Sequence, residues 1–403
     1  MERMMGIEVQ SYGTDAGLLE ELRRSWPPPD AAGEEADGYR PIDLSMLPLA
    51  GAVRLTDRLG VALAAEPDGS LASVPLARDG TSWRRARAGD GISAFVAGAP
   101  MASERRIGVD QTHESVVVGE RAIVKWFRRV GPGPSRTAAL LAHLAEVGFV
   151  GIPPPLGSLA WRSPSGIPLT LAQGDAYLPG ARDGWEWCVE RAESEDASVG
   201  EALGELAAGL HRALATPTSV IERPIESAGP GLIDGWRTAA LATLGDAVAL
   251  TADADLERWA PAMRRTIESI GACRSIDIQP VHGDFHVGQV LEWSGGHAVI
   301  DFDGNPTLPH AANAIRQPRE RDIAQLTTSL DHVGRVVEER GAGDRSGWIA
   351  AARSAFLAAV GPADEVLLAA FEVEQECREL VYAARFLPRW RYAPMAALRS
   401  RFG

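Results

Sequence analysis

The segment Gln279-Pro-Val-His-Gly-Asp-Phe-His-Val-Gly-Gln289, followed by Asp301-Phe302-Asp303, constrains this chain more than any other stretch. It sets one carboxylate, Asp284, five residues before an amide, Gln289, and a second carboxylate, Asp301, seventeen residues after the first. Between them Gln289 to Trp293 reads as a short apolar strand, Ser294-Gly295-Gly296 as a turn, and Ala298 to Ile300 as a returning strand. Such a hairpin carries Asp301 back beside Gln289. An His-Gly-Asp triplet or an Asp-Phe pair alone arises often by chance, and it is the joint spacing that is specific.

That layout suits phosphoryl transfer, a reaction that needs little covalent help from a protein and much positioning and charge neutralisation. One carboxylate must take or orient the proton of the attacking hydroxyl, and Asp284 is the candidate. A separate oxygen cluster must hold Mg²⁺ against a triphosphate. Gln289 offers a neutral amide oxygen and Asp301 an anionic one, both hard ligands of the kind Mg²⁺ prefers, and Asp303 is the candidate for a second ion.

His282-Gly283-Asp284 through Gln289, then Asp301-Phe302-Asp303-Gly304-Asn305-Pro306, resembles the catalytic and metal-binding loops of the protein-kinase-like fold, in its aminoglycoside phosphotransferase and maltokinase-like branch. Gly283 stands where regulated protein kinases usually carry arginine, which argues against control by activation-loop phosphorylation. Further similarity to maltokinases runs from about residue 105 to the C-terminus, in Asp110-Gln-Thr112, the Ser115 to Arg128 hairpin, Asp183-Gly-Trp-Glu-Trp187, Arg321-Asp-Ile323 and Pro388-Arg-Trp390. The Asp-Phe-Asp-Gly-Asn-Pro ending is more similar to actinobacterial glucosamine kinases than to maltokinases. The resemblance implies an α+β, bilobal fold with an N-terminal β-rich cap subdomain over 1–105, a small β-sheet lobe with the hinge over 106–180, and a large, mostly helical C-lobe over 181–403.

Several roles follow from the resemblance. Lys125, set among β-formers in Ala122-Ile-Val-Lys-Trp-Phe127, falls where the nucleotide-phosphate lysine of the small lobe stands, against the plainer reading of an exposed strand lysine. Gln173, Asp175 and Tyr177 fall on the expected hinge, whose backbone would meet adenine. Thr112 and Ser115, in Gly108 to Ser115, offer hydroxyls to phosphates, although this is not a Gly-x-Gly-x-x-Gly loop. His282 is read as a structural member of the catalytic loop, His286 as loop scaffold or a phosphate or substrate neighbour, and Asp322 as a brace behind the loop. One departure stands out: kinases pair the strand lysine with a glutamate on the following helix, yet 135–145 holds no acid, Ala139 occupies the matching place, and Glu146 comes late.

The acceptor is legible on Phe371-Glu-Val-Glu-Gln-Glu-Cys-Arg-Glu379, a stretch similar to the sugar-binding helix of maltokinases except that Gln375 and Arg378 replace a lysine and a tyrosine. Glu372, Glu376 and Glu379 recur at i, i+4 and i+7 and so share a helix face. The plain reading is a solvated acidic face. With Gln375 they would instead attract a protonated amine, and an amino sugar such as glucosamine is then the expected acceptor, phosphorylated at its 6-hydroxyl. Rival readings are a maltokinase, an aminoglycoside phosphotransferase, and a non-catalytic nucleotide-binding module. Trp185 and Trp187 would either stack on a sugar or pack in the core.

The remaining composition is permissive. A length of 403 residues predicts more than one subdomain. A net charge of −14 argues against nucleic acid or an anionic membrane as partner and fits a small-molecule substrate better, which the resemblance makes a sugar or amino sugar. Cys188, Cys273 and Cys377 lack paired spacing and read as buried reduced thiols; His211, His282 and His286 lack a second histidine at zinc-ligand spacing. The amino terminus has no apolar signal region and no run of about 18 apolar residues occurs, so a cytoplasmic location is the expectation; the kinase-like resemblance implies ATP and Mg²⁺ as cofactors, and a monomer is expected. Residues 1 to about 25 read as opening with a helix, 27–41 as a Pro- and Gly-rich loop, 52–98 as a small sheet, 200–215 as a helix with Leu203, Leu206, Leu210 and Leu214 on its core stripe, and 318–340 as a long helix.

Overall fold

The computed structural model describes residues 2–4, 7–27, 44–107, 113–131, 135–305 and 315–403. The loop residues 108–112, Thr112 among them, and Pro306 lie outside the described residues, as do 28–43 with Gly33 and Gly38. The chain divides into two compact units, residues 1–148 with 153–179, and residues 149–152 with 180–403.

The first unit holds β1 (Glu2–Met4), β2 (Ile7–Tyr12), α1 (Ala16–Arg23), β3 (Leu49–Arg54), β4 (Leu59–Ala65), β5 (Leu71–Asp79), β6 (Ser82–Arg85), α2 (Ile92–Val96), β7 (Glu104–Arg106), β8 (Glu114–Val118), β9 (Ala122–Trp126), β10 (Arg129–Val130), α3 (Arg136–Val147), β11 (Pro155–Arg162) and β12 (Pro168–Ala176). Among the described residues these build one sheet in the order β1-β2-β11-β12-β9-β8-β7 and another in the order β10-β5-β4-β3, with β6 beside β5. The predicted small sheet thus spans β3 to β6. The opening differs from expectation, since two strands precede the helix. Residues 7–12 pair in parallel with β11, from Gly157↔Glu8 to Trp161↔Tyr12, a partner some 150 residues away that local pattern cannot reveal. The core of this unit gathers Leu63, Val116, Val124, Trp126, Leu159, Trp161 and Leu171. Leu18 and Leu22 of α1 close a second cluster over Ala62, Leu76 and Trp83.

The second unit holds α4 (Gly184–Glu193), α5 (Ser198–Leu214), β13 (Glu226–Ala228), α6 (Pro230–Thr251), α7 (Ala254–Glu268), β14 (Ile276–Pro280), β15 (Val290–Trp293), β16 (Gly296–Val299), β17 (Arg316–Gln317), α8 (Glu320–Glu339), α9 (Ser346–Val360), α10 (Glu365–Arg385) and α11 (Tyr392–Phe402). Its core joins Leu244 of α6 and Trp259 and Met263 of α7 to Val373, Cys377 and Leu380 of α10 and Leu398 of α11. Each such aliphatic side chain taken from water contributes roughly 1.5–3 kcal/mol. Leu203, Leu210 and Leu214 are fully buried and Leu206 partly so. Cys188 and Cys377 are buried free thiols, whereas Cys273 is only half-buried. No helix among the described residues is long and apolar enough to cross a membrane.

Helix α5 lies against α9 with almost no gap, and glycine makes this possible. A Cβ added at Gly200 would stand 2.0 Å from the carbonyl oxygen of Ala352, and one at Gly204 would stand 2.6 Å from that of Phe356. Gly200→Ala must therefore push the helices apart. It should cost about 1–3 kcal/mol by overpacking, read as a lower urea midpoint with unchanged m-value.

Candidate active site

The catalytic loop is irregular backbone in a buried place, so its amides need partners, and α8 supplies them. Asp322, with no exposed surface, accepts the amide of His282 at 2.8 Å and the amide of Gly283 at 2.8 Å. One turn on, Gln325 accepts the amide of Phe285 at 2.8 Å, and a further turn on, Ser329 accepts that of Val287 at 3.1 Å. Spacings of three and seven residues put these side chains on one helix face. His211 of α5 meets Asp322 at 3.1 Å through Nε2. Burial pushes the Asp322 carboxyl up, but the His211 hydrogen bond and charge, with those of His282 and the Gly283 amide, outweigh it and hold it below its ordinary value.

His282 is fully buried and links both halves of the site. Its Nε2 donates to the carbonyl of Ile300 at 2.8 Å, its Nδ1 accepts the Asp284 amide at 3.3 Å, and its ring stacks on Phe285 at 5.0 Å. Gly283, at φ 84°, takes the left-handed conformation that the turn into Asp284 requires. From the other side α4 presses on the loop, where a Cβ at Gly184 would fall 1.6 Å from the Val287 carbonyl oxygen.

Asp284 emerges from this frame with 16 % of its side chain exposed, and Asn305 Nδ2 donates to its Oδ1 at 3.1 Å. Burial raises its pKa to about 6, Asp301 and Glu379 add repulsion, and His286 and Arg378 act the other way. His286 Nε2 lies 3.9 Å from Asp284 Oδ2, while its Nδ1 accepts the Gly288 amide at 3.1 Å. The hairpin of β15 and β16 brings Gln289 beside Ile300, whose amide donates to the Gln289 carbonyl at 2.9 Å. Asp301, next along, is exposed and holds φ 63°, a conformation uncommon outside glycine and concentrated at functional positions. Asp303 is half-buried two residues on. Among the described residues no cluster of three His, Cys, Asp or Glu forms a self-sufficient metal cage. One amide oxygen with one or two carboxylates nevertheless matches the donor set of Mg²⁺, which keeps waters and substrate phosphates as its other ligands.

Glu372, Glu374, Glu376 and Glu379 of α10 meet four different environments. Glu372 accepts from Thr327 at 2.7 Å, Arg353 at 2.7 Å and Arg401 at 3.1 Å. Glu374, 1 % exposed, is held between Arg321 at 2.9 Å and Arg378, with Arg321 lying 4.1 Å over the Phe371 ring. Glu376 pairs with His332 at 2.9 Å. Glu379 accepts from Gln375 Nε2 at 3.0 Å and from Trp390 Nε1 at 2.9 Å, both neutral donors. Glu372 and Glu376 line a cleft of about 740 Å³ walled by α8 to α11, whose lining includes neither Asp284 nor Glu379. The two tryptophans of α4 also part company. Trp187 is core, its Nε1 donating to the Val290 carbonyl at 3.1 Å, whereas Trp185 is half-buried and meets Trp390 edge to face at 5.6 Å.

In the first unit Ser115, Lys125 and Gln173 sit opposite one another on three neighbouring strands, through Ser115↔Lys125 and Gln173↔Lys125 pairs, and so share a sheet face. Lys125 Nζ lies 5.9 Å from the Phe127 ring centre. Gln173 is buried and donates to Asp175 Oδ1 at 3.1 Å, and the Tyr177 amide donates to the Arg121 carbonyl at 2.9 Å. On α3, Ala139 lies half-buried in the first turn and Glu146 is exposed near the helix end.

Residues that sequence reasoning left without a role are Asn305, Gln325, Ser329, Glu374, Arg321 and Trp390. The polar repeat 322, 325, 329 within the helix was the available signal for two of them.

Residues 103–304 match the phosphotransferase enzyme family. The chain is 38 % identical over 386 residues to a glucosamine kinase of Streptacidiphilus jiangxiensis, covering 82 % of this chain and 86 % of that one. It is 35 % identical to a glucosamine kinase of Mycolicibacterium smegmatis, covering 89 % and 97 %. A solved glucosamine kinase in complex with glucosamine, ADP and inorganic phosphate superposes with a TM-score of 0.77 at 35 % identity, over 89 % of this chain and 95 % of that one.

Asp322→Asn would replace one acceptor oxygen by a donor and leave a buried loop amide or His211 unmatched. We expect a loss of about 3 kcal/mol in chemical denaturation, together with reduced turnover. Unchanged values for both would show that the loop does not depend on this carboxylate.

Proposed function

Because the chain belongs to the phosphotransferase enzyme family, and within it to the glucosamine kinases, we propose that it transfers the γ-phosphoryl group of ATP to the 6-hydroxyl of glucosamine. The observation that carries the acceptor choice is the contrast among the α10 acids. Glu372, Glu374 and Glu376 each have a cationic partner, while the hydrogen-bond donors to Glu379 are neutral and leave its negative charge available. Repulsion from Glu379 also helps raise Asp284, which supports reading the two carboxylates as parts of one site. We therefore assign the 2-ammonium to Glu379, steadied by Gln375, rather than to Glu372 or Glu376.

In this reading Asp284 accepts the proton of the 6-hydroxyl as the oxygen attacks the γ-phosphorus in line and ADP leaves. Asn305 fixes the carboxylate's orientation, and His286 is the polar neighbour at its other oxygen. Lys125 serves the nucleotide phosphates, with Ser115 on the same sheet face; Gln173, Asp175 and Tyr177 belong to the strand end whose backbone would meet adenine. Gln289 and Asp301 would hold Mg²⁺, with Asp303 for a second ion, and a bound cation neutralises charge on the phosphate oxygens. His282 and Asp322 act through the loop. A kinase consuming ATP as donor fits a cytoplasmic setting.

Asp284 must be ionised to accept a proton, so kcat/KM should rise with pH through about 6, a midpoint that Mg²⁺ would lower. The linkage sign is the reverse for stability: the folded pKa lies above the ordinary value of 3.8, so ionising Asp284 at neutral pH opposes folding. Asp284→Asn should abolish turnover, keep ATP binding within about threefold, and raise the denaturation midpoint at pH 7. Activity near wild type in this variant would overturn the assignment.

A panel of glucosamine, N-acetylglucosamine, glucose, maltose and kanamycin, followed by ADP release, tests the acceptor. Glucosamine should turn over well and its acetylated form poorly. Glu379→Gln should raise KM for glucosamine at least about tenfold with KM for ATP nearly unchanged, while Glu372→Gln should mainly reduce stability. Preference for a neutral sugar would sink the amine reading.

A further inference from the structure

The polar stripe of α8 does not stop at the catalytic loop. Asp322, Gln325 and Ser329 hold loop amides, and His332, three residues beyond Ser329, continues the same face. His332 is 2 % exposed and hydrogen-bonds through Nε2 to Glu376 Oε2 at 2.9 Å. Its ring meets the indole of Trp390 at 5.5 Å between centres and 88° between planes. Trp390 is held from two further sides, by Trp185 at 5.6 Å and Tyr392 at 5.9 Å, and its Nε1 donates to Glu379 Oε2. One helix therefore indexes two things: the loop bearing Asp284, and the indole bearing on Glu379.

We propose that His332 and Glu376 form a positioning pair for amine recognition, fixing Trp390, and through its N–H the Glu379 carboxylate, in register with Asp284. The inference rests on the assignment of Glu379 to the ammonium. Two packed elements could hold Trp390 by apolar contact alone, yet here a buried ionisable pair does so, and such a pair is retained at a cost in desolvation. Its geometry supplies what an aliphatic contact would not. The hydrogen bond to Glu376 fixes the rotation of the imidazole, and an edge-to-face contact with an indole depends on that rotation. Burial opposes the charge of His332, but Glu376, and beyond it Glu379 and Asp331, more than reverse this and put its pKa at about 9. Burial raises Glu376 to about 7 against the pull of His332. The groups facing the pair are thus Asp331 on α8 and Glu379 on α10, besides the rings of Trp390.

A double-mutant cycle tests the route. His332→Gln keeps a donor for Glu376 but loses the ring, and Trp390→Phe keeps an aromatic body but loses the N–H. Each should raise KM for glucosamine about fivefold, leave KM for ATP within about twofold and change kcat little. Combined, they should be no worse than Trp390→Phe alone, because His332 acts through the indole. Glu376→Gln, assayed beside them, should reproduce the His332→Gln effect on the glucosamine KM with KM for ATP within about twofold, even though loss of the buried partner lowers the thermal midpoint. Fully additive effects, or an unchanged KM in both His332→Gln and Glu376→Gln, would overturn the proposal. Glu379→Gln separates the levels: if it raises the glucosamine KM while the His332 and Glu376 variants do not, only the positioning role falls; if it too has no effect, the amine assignment falls with it.

Discussion

A single buried carboxylate holds the second unit's chemistry in place. Asp322 accepts two consecutive backbone amides of the catalytic loop and an imidazole N–H, and it has no contact with water. Bare loop backbone in such a position would leave donors unsatisfied, each at a cost of about 1–3 kcal/mol. With Asp322 in place, Gly283 can adopt its left-handed turn, His282 can reach the Ile300 carbonyl, and the carboxylate of Asp284 is presented at the end of a rigid path. Just beyond the end of β16, the Ile300 amide bonds the Gln289 carbonyl, and Asp301 follows directly. Positioning on this scale is what phosphoryl transfer asks of a protein, since the phosphates and their cation carry most of the chemistry.

Packing gives the acids of α10 different partners. Arginines from α9 and α11 close on Glu372, arginines from α8 and α10 itself close on Glu374, and a histidine from α8 closes on Glu376. A buried ion pair of this kind contributes little net stability but is costly to break. Glu379 is held by an amide and an indole, both neutral donors. Neutral donors orient a carboxylate without discharging it, the condition a site needs to attract an ammonium.

Much of this is legible in the chain. The hairpin of β8 and β9, the paired strands that run between Gln289 and Asp301, and the long helices α5 and α8 follow from local alternation and helical spacing. Residues 7–12 do not read as a strand because theirs exists only through parallel pairing with β11, a contact that no short window contains. Asn305 escapes notice because a lone asparagine in a turn is common, and its reach to Asp284 depends on how the loop folds back. Gln325 and Ser329 stand in view as polar residues on an amphipathic helix, where solvent is the usual partner.

By itself the sequence determined the class of chemistry, because the residues that carry it sit within one short segment whose spacing is local and whose loop geometry follows from a few turns. Tertiary structure decided which of the three acids of that helix face meets neutral donors in place of cationic ones. Glu372, Glu376 and Glu379 are equivalent by helical periodicity, and only packing against Arg353, Arg401, His332 and Trp390 makes them different. The reason is physical: a carboxylate's availability depends on the charges within a few ångströms of it, and those are brought by other helices.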